Sequence, residues 1–172
     1  MLEILFNPNA WELASFVVTV IGLPAAITIF IYEQRRERRN EEDEVYQLLS
    51  NAYNDFLKVV IDNPDLRLRS QSATPDLSAE QQERMLVIFD MLVSLLERAY
   101  LTAWSPRMTA EQKRRWNSWE DFMLEWLRRD DFYVHLPLLL KGEDPEFVAY
   151  LGRLTQQERG TPLFTPHLQA HP

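Results

Sequence analysis

The feature that most constrains this chain is the stretch Leu13–Tyr32, LASFVVTVIGLPAAITIFIY, twenty residues without a charge. At about 1.5 Å per residue, a helix of that length covers the roughly 30 Å hydrocarbon layer of a bilayer. Trp11 and Tyr32 bracket it, as amphipathic rings do at the two membrane interfaces. A core helix of this length would rarely lack a polar edge. A secretory signal peptide needs a basic leading region, whereas residues 1–12 carry only Glu3 and Glu12 as charged side chains. The expectation is a transmembrane helix at 13–32, preceded by a short extracytoplasmic N-terminus at 1–12.

The charges beyond the apolar run orient it. Arg35, Arg36, Arg38 and Arg39 come directly after the span, and Glu41, Glu42, Asp43 and Glu44 after them. The positive-inside rule places the arginine side in the cytoplasm of an inner (plasma) membrane and the N-terminus outside. Anionic lipid headgroups would attract each arginine by about 1 kcal/mol and repel the carboxylates, which favours a helix leading away from the surface. Residues 33–44 therefore read as a charged juxtamembrane helix, supported by i,i+3 and i,i+4 pairs such as Arg38 with Glu41 and Glu42. No glycine or proline interrupts the chain between Ala25 and Asn63, so one continuous helix is expected from anchor to domain. Within the span, Pro24 removes a backbone donor, and Ser15, Gly22 and Ala26 offer small surfaces for self-association in the membrane.

Composition narrows the remainder. Only four glycines in 172 residues argue against a turn-rich β fold. The absence of cysteine excludes disulfides, thiolate zinc sites and cysteine nucleophiles. A net charge of −8 argues against a nucleic-acid polymer as partner, because that affinity rests on neutralising phosphates.

Residues 45–159 read as an all-α cytoplasmic bundle of about four main helices, and 160–172 as a flexible, proline-rich tail. The first helix continues through Val45, Leu48, Leu49, Ala52, Tyr53, Phe56 and Val60 on one side and stops at Asn63-Pro64. Ser78 with Gln81 and Thr109 with Gln112 are capping boxes that open two further helices. The first of these is apolar around most of its circumference from Met85 to Leu101 and is expected to be central. A short apolar segment interrupted by Pro137 comes next, and Asp144 with Pro145 starts the last helix.

No catalytic constellation is legible, and neither a metal nor a cofactor is expected. Glu97 sits on the central helix, seven residues from Asp90. It is expected to buckle structurally to an arginine, a tyrosine hydroxyl or an indole rather than to serve acid–base chemistry. The stripe Trp116, Trp119 and Trp126 has core spacing. Lys113, Arg114 and Arg115, with Arg128 and Arg129, are candidate contacts for an anion or nucleotide, weighed against solvated helix faces. His135, His167 and His171 lack metal-ligand spacing on a helix.

The segments YNDFLKVVIDNPDL, LSAEQQERM, LLERAY and RRWNSWEDFMLEW resemble, in layout, bacterial single-pass membrane proteins with a helical cytosolic domain. That resemblance implies the architecture alone and brings no activity or site residue. The expected function is a non-enzymatic, membrane-anchored interaction or scaffold protein, with lipids and a protein partner or a second copy as its contacts. The alternative is a membrane effector gated by an anionic or nucleotide signal.

Overall fold

The computed structural model describes Phe16 and residues 18–163. Among the described residues there are five α-helices and no strand: α1 (Leu23–Asp62), α2 (Ala79–Ala103), α3 (Ala110–Leu127), α4 (Asp130–Leu139) and α5 (Pro145–Arg159). A π-helical turn at Val18–Gly22 precedes α1, and a 3-10 turn at Pro64–Leu66 comes after it. The chain divides into two compact units, Met1–Glu44 and Val45–Pro172.

One expectation concerns the first unit. Among the described residues no helix is long and apolar enough to cross a membrane. Within the uncharged run, α1 contributes Leu23–Tyr32, ten residues before Glu33, and the π-helical turn Val18–Gly22 leads directly into it. The π-helical turn lies where Pro24 lacks the N–H that would close an α-turn on Val20. Trp11, Leu13, Ala14, Ser15 and Val17 lie outside the described residues, as do His167 and His171. The continuous helix did form, as the 40-residue α1.

The second unit is built around α2. Phe89, Leu92, Val93, Leu96 and Ala99 are fully enclosed, and α2 packs against α3, α4 and α5. Arg84, near its start, donates to Asn63 Oδ1 just past the end of α1 (2.7 Å), so α1 and α2 run antiparallel. The later half of α1 meets α3 through aromatic rings. Tyr53 stacks on Phe122 at 4.2 Å between centroids, and Phe56 meets Trp126 edge-on at 5.5 Å. Burying such rings contributes about 2–3 kcal/mol each by transfer, which holds α1 against the bundle without close backbone approach.

The sequence signals at the helix ends formed as reciprocal bonds. Ser78 Oγ accepts from Gln81 N while Gln81 Oε1 accepts from Ser78 N, and Thr109 and Gln112 repeat the arrangement. Asp144 Oδ1 accepts from Glu146 N and Phe147 N at the start of α5. Pro137 does not interrupt α4 but sits within its last turn, where only one intrahelical bond is lost.

Candidate functional site

In the first unit every side chain from Leu23 to Glu44 is exposed, including Leu23, Ile27, Ile29, Phe30, Ile31 and Tyr32. Phe30 and Tyr32 each retain more than 60% of their surface, at 63% and 62%. An apolar run this continuous is uncommon on a surface that stays in water. The Thr28 hydroxyl donates to Pro24 O at 2.8 Å, so it is satisfied by its own helix. Gly22 and Ala26 lie one helical turn apart and both are exposed. Arg35, Arg36, Arg38 and Arg39 come next, all exposed.

The candidate anion contacts are not brought together. Lys113, Arg114 and Arg115 open α3, and Arg128 and Arg129 lie just past its last residue. The two groups are separated by about 20 Å of helix. Arg115 pairs with Glu111 (2.8 Å) and lies over the Tyr46 ring, and Arg128 pairs with Glu158 (2.6 Å). Lys113 and Arg114 are exposed.

Arg129 is a structural clamp. Its guanidinium is enclosed beside Asp131, with Nη2 donating to Oδ2 at 2.6 Å. Nη1 donates to the carbonyls of Arg67 and Ser70, and Nη2 also donates to Thr74 Oγ1. One side chain thereby satisfies the loop between α1 and α2. His135 beside it is half-buried, and its Nδ1 bonds to Asp131 O at 2.7 Å. Among the described residues no group of acidic or histidine side chains is arranged to hold a metal ion.

The tryptophans are core, as their spacing predicts. Trp116, Trp119 and Trp126 are buried, and Trp104 stacks half-buried on Tyr100. Trp116 Nε1 donates to the Tyr150 hydroxyl (2.8 Å), which donates to Glu120 Oε2 (2.9 Å). Burial pushes the Tyr150 phenol well above its ordinary range, so it stays protonated.

Glu97 finds a different partner from the expected one. It is half-buried and accepts from the backbone N–H of Asp144 (2.5 Å), which ties α2 to the turn before α5. Glu143, in the same turn, hydrogen-bonds to the Glu97 carboxyl. That bond first, then burial and the charges of Glu97 and Asp90, raise its pKa from 4.5 to about 7. Nothing in the local sequence marks Glu143 for this, because its neighbour is 46 residues away.

Asp90 is exposed and belongs to another feature, a groove of about 610 Å3 between α1 and α2. Ala52, Phe56 and Val59 form one wall and Val87, Met91 and Leu95 the other, with Asp55, Asp90 and Arg98 among its polar lining. Val87 and Met91 expose about half of their surface, 53% and 45%, although α2 is otherwise the core helix. Compared with known protein families, curated proteins and solved structures, the chain matches none.

Proposed function

We propose that this chain is a membrane-anchored helical interaction protein, held at a bilayer by the uncharged segment 13–32 and presenting the bundle 45–163 to a protein partner. The observation that carries the reading is the unbroken exposure of Leu23–Tyr32 immediately before four arginines. Apolar side chains left uncovered over ten residues are stabilised by lipid, and arginines at their end by anionic headgroups. The bundle offers a groove with apolar walls and no gathered catalytic or metal-ligating side chains among the described residues. An effector gated by an anionic signal would have to rely on Lys113 and Arg114, because Arg115, Arg128 and Arg129 each pair with a carboxylate.

Flotation tests the anchor. The full chain, reconstituted with liposomes containing anionic lipid, is expected to rise with them through a density gradient and to resist alkaline extraction. A chain that keeps its helical circular dichroism yet stays at the bottom of the gradient would overturn the reading.

A further inference from the structure

After α5 the chain turns back along the helix it has just left. Gly160 takes the left-handed conformation that ends α5 (φ 67°), and Thr161 Oγ1 hydrogen-bonds to the Tyr133 hydroxyl of α4 at 3.0 Å. Leu163, the last described residue, is buried as part of the hydrophobic core. With Pro162 it lines a groove of about 470 Å3 over Pro145, Val148, Ala149 and Gly152 of α5, where Arg153 and Gln156 supply the polar lining. This is the face of α5 turned away from the buried Phe147, Leu151 and Leu154.

Gly152 has no role in the helix itself. It lies inside α5, where glycine weakens a helix, and its backbone is helical rather than left-handed. A Cβ there would meet nothing within 4 Å among the described residues, so no packed neighbour requires its absence. Glycine at such a point suits a chain segment that passes close to the helix backbone.

We propose that the α5 groove is the seat of the chain's own next segment, residues 164–168, of sequence FTPHL. Leu163 already lies in the groove, so the segment enters it without crossing any other element. From Gln156 back to Pro145 is about 17 Å of helix, and five residues of extended chain at about 3.3 Å each cover the same distance. The segment carries no acidic or basic charge, and it offers Phe164 and Leu168 to the apolar walls. Pro166 favours the extended form and has no backbone donor to leave unpaired against them. Gly152 provides the room. The seated segment covers this face of α5 and closes it to a protein partner, because a tethered occupant competes at an effective concentration of about millimolar. The proposal concerns the second unit alone and is independent of the membrane anchor.

The chain has no cysteine, so introduced pairs report the seating without background. In the full chain in detergent, Ala149→Cys is combined in turn with Thr165→Cys, His167→Cys and Gln169→Cys. Mild oxidation at high dilution is expected to link at least one of these pairs within a single chain. Asp90→Cys in place of Ala149→Cys should remove the linkage; equal linkage from both would show random collision and overturn the seating. Gly152→Leu fills the room and touches nothing else, so it is expected to slow the intramolecular linkage by roughly tenfold, the effect of an overpacked contact, with helical circular dichroism retained. Linkage indifferent to Gly152→Leu would overturn the proposal. Linkage between two chains instead of within one would assign the groove to a second copy, and a folded chain with no linkage from any of the three positions would leave it to another partner; either result defeats the seating.

Discussion

Arg129 and Asp131 form an ion pair two residues apart, Nε to Oδ1 2.6 Å, with only 2% and 9% of their side chains exposed. Breaking one partner of such a pair leaves a charge stranded in a site closed to water, which costs about 3–5 kcal/mol. Arg129→Ala also releases the carbonyls of Arg67 and Ser70. Urea unfolding should show a loss of that size. Arg128→Ala, next door but paired to Glu158 on an exposed surface, should cost under about 1 kcal/mol. Equal effects for the two would mean that the clamp does not hold the loop.

Stability should fall as pH rises through neutrality. The Glu143 pKa is raised from 4.5 to about 7 in the folded chain, so the folded state binds this proton more tightly than the unfolded state does. The contribution is complete below 4.5 and is lost as pH rises through about 7, where Glu143 ionises against Glu97. Asp65 and Glu158, lowered by Gln81 with Arg84 and by Arg128 respectively, act the other way and only at acid pH. Glu143→Gln keeps a hydrogen-bonding amide and removes the charge. Denaturant midpoints measured from about pH 5 to 8 should become flatter, with the variant the more stable form at the alkaline end.

The Tyr150 hydroxyl joins Trp116 to Glu120, so Tyr150→Phe leaves a buried indole N–H and a half-buried carboxylate without that partner. The expected cost is about 1–3 kcal/mol, although no cavity forms. A shift in tryptophan emission should accompany it, because Trp116 lies 5.8 Å from the Tyr150 ring. Unchanged stability would mean that water replaces the hydroxyl.

If the arginines orient the anchor, converting Arg35, Arg36, Arg38 and Arg39 to Glu should weaken or invert insertion. Labelling of a single introduced cysteine by a membrane-impermeant maleimide in intact cells reads the topology. Retention of the wild-type side would show that the four arginines do not set it.

Much of the bundle was legible because its signals are local. Ser78 with Gln81, Thr109 with Gln112 and Asp144 before Pro145 each act within one helical turn, and each became the cap it predicted. The apolar spacing of α2 and the tryptophan stripe of α3 located the core, because burial follows periodicity. Spacing failed at Val87, Met91 and Leu101, apolar residues on a central helix that face outward. It failed again at Arg129, which stands beside Arg128 in sequence yet is enclosed, because one peptide step past the end of α3 turns it towards the loop 67–74.

The all-α class, the helix ends, the stop at Asn63-Pro64 and the uncharged run before the arginines can all be read from the chain alone, because each is a property of neighbours in sequence. Three further outcomes emerge only on folding. A π-helical turn precedes α1 at Leu23, the five basic residues around α3 form no common site, and Glu97 accepts from the Asp144 N–H 47 residues away, beside Glu143. The last two depend on which helix faces which. Such pairing is set by the fit of Tyr53, Phe56 and Trp126 across the α1–α3 contact and by charges meeting over long sequence separations.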